Sequence, residues 1–325
     1  METNKLLSTK YLPKNFSEPD AIYAYLQSGM CFAVIFGATG IGIQSRNWIV
    51  LAICFFIIGI MQYRLSVVLH DCIHLTLFKG KQLNMWVGRV SAALLFTTFT
   101  NFQSGHMAHH RYYRTEDDPS LPDYEVHPKT TKDLVWFLLQ PLIGYSVFIK
   151  IWQFRDVQQG KTTVDKETKG GNAQAKKTPV VEIVLLGLIQ GILFLWTSRL
   201  FAQPIYYIGL VMLPVMSIVL FLSRLRTFLE HGDPHADDHP PLNCGRNTLT
   251  SIIERAILSP LNFNYHYWHH KYPQIPSSKL PELHTWYLEK DPEVLSDPEQ
   301  AEVNVTSFYS TFTRFYKEVE LKSHE

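Results

Sequence analysis

The chain is poor in cysteine, in net charge and in anything resembling a leader. Its 325 residues include four cysteines, Cys31, Cys54, Cys72 and Cys244, and their spacing suggests neither a disulfide framework nor a thiolate metal site. Core packing is their expected role. The formal net charge is +1, so the electrostatic footprint of a nucleic-acid partner is missing. Residues 1–20 are polar and mixed in charge, unlike a secretory signal with its apolar centre. The last scarcity is local: residues 26–45, 47–63, 183–198 and 200–223 contain no charged side chain.

A membrane-crossing helix needs about 20 mostly apolar residues, so these stretches predict four spans, at about 26–45, 47–63, 180–198 and 203–223. Very short turns around Arg46 and Arg199 join them in pairs. The expected fold is an all-α membrane protein, a single domain over 1–325, with two helical hairpins and a cytoplasmic helical cap. Residues 64–177 hold fifteen Lys or Arg, against one in each hairpin turn. By the positive-inside bias that segment and both termini face the cytoplasm. Residues 158–178 are polar, contain glycine and lack apolar periodicity, which predicts a flexible linker. The chain after His270 is rich in proline, then charged, and should close over the cytoplasmic face.

Two shorter apolar runs, 90–104 and 134–149, are at or below spanning length. If either crossed the membrane, the histidines described next would be divided between its two sides. Both are therefore expected to lie in or on the interface.

Against these absences stands an excess of histidine at the edges of the apolar stretches. Eight of the fourteen fall in three clusters: His70 and His74; His106, His109 and His110; His266, His269 and His270. Residues three and four apart share one face of a helix, and several such faces brought together make an imidazole cage suited to iron, copper, zinc or nickel. His231, just past the fourth apolar stretch, makes nine. Nine imidazoles exceed the needs of one four-coordinate ion, so two metals are expected. Buried imidazole ligands need their second ring nitrogen oriented, and Asp71, Asp117, Asp118, Glu230 and Asn264 are placed to do so. His127, His235, His239 and His284 fit no ligand pattern and read as surface or linker residues, although His235 and His239 repeat the one-turn spacing in a proline-flanked loop. Tyr112, Tyr113, Tyr265, Tyr267 and Trp268 read as packing or interfacial residues. Arg111 and Arg114 are candidates for a lipid headgroup or a carrier phosphate.

The order HDCIH, HMAHH followed by EDDP, FLEHG and NYHYWHH resembles that of the membrane-bound fatty acid desaturase and hydroxylase superfamily, over nearly all of residues 26–285. The resemblance implies a non-haem centre of two iron ions that activates O2 and removes hydrogen from an unactivated C–H bond. It implies as ligands His70, His74, His106, His109, His110, His231, His266, His269 and His270. The substrate would be a lipid or fatty acyl chain, and desaturation the outcome. A lipid hydroxylase, a carotenoid ketolase or hydroxylase, or a membrane metal-binding protein without turnover are the alternatives. No His-Pro-Gly-Gly haem motif is present, so electrons are expected from a separate protein of the ferredoxin, rubredoxin or cytochrome b5 type.

Overall fold

The computed structural model describes residues 12–45, 47–148, 177–201, 203–232, 245–290 and 304–323. Residues 158–176 of the expected linker, the turn residue Arg46, and His235, His239 and Cys244 lie outside them. The described residues are mostly helical. In chain order the helices are α1 (Ala21–Ser45), α2 (Trp48–His74), α3 (Lys81–Leu94), α4 (Phe99–Tyr112), α5 (Thr131–Leu139), α6 (Val180–Phe201), α7 (Ile205–His231), α8 (Ile252–Ile257), α9 (His266–Lys271), α10 (Leu280–Lys290) and α11 (Phe308–Lys322). Two short parallel strands, β1 (Asn247–Thr248) and β2 (Asn304–Val305), pair with each other, and short 3-10 turns lie between the helices.

Four helices, α1, α2, α6 and α7, are long and apolar enough to cross a membrane. Their outward side chains are apolar as well: Ile22 and Ile41 on α1, Trp48 and Ile53 on α2, Ile183 and Ile192 on α6, and Ile205 on α7 are all exposed. A surface of this kind is stable against hydrocarbon and costly against water.

Both α2 and α7 outlast their apolar stretch. Each has 27 residues, about 40 Å at 1.5 Å per residue, against a hydrocarbon core of about 30 Å. Each therefore has two turns or so to spare, and each carries its histidines at the C-terminal end. The two helices meet closely. A Cβ on Gly59 of α2 would lie 2.6 Å from Ile218 Cβ of α7, so only glycine permits this approach, as small residues do between membrane helices. Two π-helical turns, Ile208–Met212 and Val215–Val219, interrupt α7 and loosen its ladder of backbone bonds. Gln62 of α2 donates to Val211 O at 3.1 Å, filling part of that gap. Because α2 and α7 are locked to each other, their histidine-bearing ends emerge side by side.

Neither of the shorter apolar runs forms a spanning helix. The first is split between α3 and α4 by a turn with Phe96 at φ 58°, and each of these helices has 14 residues, about 21 Å. The second breaks after α5 into a 3-10 turn, Gln140–Ile143, that ends on Gly144 at φ 72°. α4 is tied to α6 through a carboxylate. Glu182, 3% exposed, accepts from Thr100 N at 2.9 Å, Thr100 Oγ1 at 3.0 Å and Arg89 Nε at 3.2 Å. It thus places negative charge at the N-terminus of the helix that bears the second histidine cluster, where the helix dipole favours it. On the far side of the histidines, α10 packs on α9 through Trp268, Tyr272, Leu283 and Tyr287.

Candidate metal centre

The backbone marks the edges of each histidine cluster with left-handed residues. Leu75 (φ 62°) stops α2 one residue after His74, Arg114 (φ 57°) follows α4, and Leu261 and Asn262 (φ 58° and 59°) precede α9. None is glycine, and for Leu75, Arg114 and Leu261, which lack the short polar side chain that eases Asn262 into this region, each costs about 1–2 kcal/mol. Such strain persists where surrounding contacts over-determine the backbone. At Leu75 the amide donates to Asp71 O and Cys72 O, closing the helix without a glycine cap.

All nine predicted imidazoles converge, and they sort into two lobes. One lobe holds His70, His74, His106, His110 and His269, with ligand atoms within 4.8 Å of one another. The other is built from His109, His231, His266 and His270, in overlapping groups that share His231 and include Glu230. Helix phase explains the division. His106 and His110 are one turn apart on α4, about 40° apart in phase, while His109 lies about 60° to the other side of His106 and about 100° from His110. On α9 the same offset holds: His270 lies about 40° to one side of His266 and His269 about 60° to the other. Each of these helices therefore feeds both lobes, and α2 and α7 supply one lobe each. The rings of His110 and His270 stack at 4.3 Å where the lobes touch.

The facing atoms are Nε2. His70 and His106 approach at 2.7 Å, His106 and His110 at 2.8 Å, and His110 and His269 at 3.0 Å. In the other lobe His231 and His266 stand at 2.8 Å, and His266 and His270 at 3.0 Å. Two nitrogens bound at right angles to one ion, each about 2.1 Å away by the zinc–imidazole guide, stand about 3.0 Å apart. The observed spacing fits that arrangement. One proton can lie between any such pair, but His106 and His110 each face two others in a chain of four, and the fifth atom of the lobe, buried His74 Nε2, has no hydrogen-bond partner, so protons alone do not satisfy the set. The donor set suits a first-row transition metal in each lobe.

Protonation is discouraged as well. Burial, then the charges of neighbouring imidazoles, holds His106, His266, His269 and His270 well below the usual imidazole range. The same causes bring His110 down to about 3. Neutral rings are the form that binds metal.

The five polar residues expected to orient the ligands behave differently from one another. Asp118, 3% exposed, takes His109 Nδ1 at 3.0 Å on both oxygens, and also accepts from Ser120 N at 2.8 Å and Tyr124 Oη at 2.5 Å. Donation through Nδ1 leaves the Nε2 lone pair of His109 directed into its lobe. Asp71 lies 3.5 Å from His70 Nδ1 and accepts from Ser277 Oγ. Glu230 meets His266 at Nε2, not Nδ1, at 3.5 Å. Asp117, half-buried, hydrogen-bonds none of the nine imidazoles among the described residues. Asn264 donates through Nδ2 to Thr248 O at 3.0 Å, and its side-chain Oδ1 has no partner among the described residues.

Several residues at the site have roles there that the sequence does not indicate. Tyr113 Oη lies 3.2 Å from His231 Nδ1, doing for that ring what Asp118 does for His109. Arg114 donates to His231 O at 2.7 Å, and buried Arg246 donates to Gly232 O. Two guanidinium groups thus take up carbonyls at the C-terminal end of α7, where cations are favoured, and hold His231 in place. This is a structural task for Arg114. Gly245 is the one residue type its position accepts, since a Cβ there would lie 2.7 Å from His266 Cδ2 and 3.0 Å from His231 Cε1. His284, expected at the surface, is 6% exposed and accepts from Trp268 Nε1 at 2.9 Å, which secures α9 from behind. His127 is exposed, as expected.

Comparison with known proteins agrees with this arrangement. Residues 46–297 match the family model described as fatty acid desaturase. The chain is 25% identical over 265 residues to the chloroplastic omega-3 fatty acid desaturase of Sesamum indicum, covering 76% of this chain and 57% of that one. It thus spans under two thirds of that chloroplast relative. It is 24% identical over 288 residues to the sn-1 acyl-lipid omega-3 desaturase (ferredoxin) of a Synechocystis species, covering 83% of this chain and 76% of the relative. With the dihydrorhizobitoxine desaturase of Bradyrhizobium elkanii it shares 25% identity over 324 residues, 92% of this chain and 86% of the relative. With a family match over most of its length, four membrane-capable helices and nine histidines gathered from α2, α4, α7 and α9, the chain belongs to the fatty acid desaturase family.

Proposed function

We propose that the protein is a membrane-bound di-iron oxidoreductase that uses O2 to desaturate an unactivated C–H pair in a fatty acyl chain or lipid. The observation that carries the reading is the division of nine converging imidazoles into a lobe of five and a lobe of four, with their Nε2 atoms 2.7–3.0 Å apart. His70, His74, His106, His110 and His269 would hold one iron, and His109, His231, His266 and His270 the other. Bound iron would supply O2 activation and the abstraction of hydrogen.

The protein's share is placement and shielding. Asp118 and Tyr113 fix the rings of His109 and His231 from behind, and Asp71 lies behind His70. Burial of His70, His109, His231, His266 and His269, each at most 4% exposed, keeps bulk water from the centre. An apolar cleft of about 380 Å³ between α5, α7, α8 and α11, lined by Leu138, Leu225, Leu229, Leu258 and Phe312, has a size and lining suited to part of an acyl chain. Its α7 wall ends one residue before Glu230 and His231.

The same reading places α1 with α2 and α6 with α7 as two membrane hairpins. The C-terminal ends of α2 and α7, together with α3–α5 and α8–α11, would then form a cap on the cytoplasmic side, with both termini there. The charge bias of residues 64–177 supports that side. Electrons would come from a separate carrier, of the ferredoxin, rubredoxin or cytochrome b5 type, and the naming of the Synechocystis relative as ferredoxin-linked supports the first.

Two measurements on one preparation test this. Protein made in iron-replete medium should carry two irons per chain, and untargeted lipid mass spectrometry of the expressing host should show products two hydrogens lighter that vanish without O2. Iron without any new product would support a binding protein. A single tightly held zinc with no product would end the di-iron reading.

A further inference from the structure

Carboxylates near an imidazole cluster can act from two sides, and the nitrogen they meet tells which. Asp118 and Asp71 face Nδ1 of His109 and His70, the atom turned away from the lobe. Glu230 faces Nε2 of His266 at 3.5 Å, the same atom that approaches His231 Nε2 at 2.8 Å and His270 Nε2 at 3.0 Å. The outward nitrogen of His266, Nδ1, is buried and has no hydrogen-bond partner. Glu230 therefore does not orient His266. It stands among the atoms that converge on the lobe, within 4.8 Å of the ligand atoms of His231 and His266.

The carboxylate is also unsatisfied. It is 1% exposed, and neither oxygen accepts a hydrogen bond among the described residues. Its ion-pair partner, Arg226 Nε, lies 3.2 Å from Oε2 without forming one. A buried charge is expensive unless it is both paired and hydrogen-bonded or bound to a metal, and Arg226 supplies the charge without the hydrogen bond. The chain supplies five imidazoles to one lobe and four to the other, so the lobe short of one nitrogen is the lobe with a carboxylate oxygen at its edge.

We propose that Glu230 is the fifth donor of the four-histidine lobe, giving one metal site of five nitrogens and a second of four nitrogens and one oxygen. This rests on the reading of the lobes as metal sites. The two sites then differ in charge and ligand hardness. Oxygen ligands favour harder cations, so the Glu230 site stabilises the more oxidised ion of the pair. Arg226 offsets the charge of the carboxylate while the site is empty.

The test uses the full-length protein in detergent, reconstituted with iron-57, and three forms: wild type, Glu230→Gln, and Glu230→Gln with Arg226→Gln. The readouts are iron retained after a chelator challenge and the Mössbauer spectrum of the diferrous state. Wild type should retain two irons with two distinguishable ferrous signals. Glu230→Gln should retain one firmly, with iron affinity at the other site reduced at least tenfold and one signal altered while its companion stays unchanged. The double variant removes the unpaired guanidinium, so it guards against misfolding, and it should remain defective at the same site. If the double variant regains two firmly held irons, or if Glu230→Gln holds both with unchanged signals, Glu230 is merely the ion-pair partner of Arg226 and the inference is overturned. Wild type that retains no iron overturns the metal reading itself, a result distinct from either of these.

Discussion

Replacing Asp118 by Asn separates two adjacent acids that look equivalent in the stretch Glu116-Asp117-Asp118-Pro119. Asp118 receives three donors in a fully enclosed setting: His109 Nδ1 at 3.0 Å, Ser120 N at 2.8 Å and Tyr124 Oη at 2.5 Å. An Asn keeps one acceptor oxygen and turns an NH2 toward a group that is itself a donor, so at least one of the three bonds is lost. Leaving one buried donor unmade costs about 1–3 kcal/mol. Loss of a ligand's orienting partner lowers metal affinity about 10–100-fold, or about 1.4–2.7 kcal/mol. The two estimates agree, because the freed His109 ring must be re-ordered when metal binds. Asp117→Asn, one residue away with no imidazole contact, should change affinity less than twofold. Competition against a chromophoric chelator, with cobalt as a spectroscopic substitute, reads both variants. Asp118→Asn should weaken one of the two ions and leave the other. Equal affinities in the two variants, or equal loss from both lobes, would refute the assignment of Asp118 to His109.

Three further outcomes follow from the same geometry. For the metal-free protein the sign of the pH dependence is set by the lowered imidazoles: below the usual value of 6.5 and down to about 3 for His110, the unfolded chain binds protons that the folded one refuses. Stability should therefore fall as pH drops below 6.5, by about 1.4 kcal/mol per pH unit for each such ring, and a thermal midpoint that stayed level between pH 8 and pH 5 would contradict it. His284→Ala should lower the thermal midpoint, since it strands Trp268 Nε1 at a cost of about 1–3 kcal/mol, yet leave metal content unchanged; chelator titration showing a lost ion would make His284 a ligand-supporting residue. A single cysteine at Lys129, exposed between α4 and α5, should react with an impermeant thiol reagent from the same side as one at Arg111, and opposite labelling would mean that the intervening chain crosses the membrane.

What the sequence determined by itself is what depends on local composition and local period. Uncharged stretches of spanning length marked α1, α2, α6 and α7, because hydrocarbon tolerates no unpaired charge wherever it occurs in the chain. The one-turn spacings of His70 with His74, His106 with His110 and His266 with His270 marked candidate ligand faces, because helix geometry places those pairs together without help from the rest of the molecule. The helix ends were less legible. α2 continues through Arg64 to His74, and α7 through Arg224 and Arg226 to His231, since a helix stops at its backbone caps and not where its apolar stretch ends. The stop after His74 relies on Leu75 in a conformation that residue seldom adopts.

The tertiary structure decided everything that depends on how helices cross. Whether His109 joins His106 or His231 depends on the phase of α4 relative to α7. The choice of Asp118 over Asp117, and the presence of Glu230 at Nε2 and not Nδ1 of His266, depend on ångström-scale placements between segments far apart in the chain. Gly245 gives no hint that two imidazoles lie against its Cα, and Arg246 none that it holds the end of α7. These roles belong to no residue type. They arise where chain segments tens to hundreds of residues apart are packed together, and packing of that range leaves no period in the sequence to read.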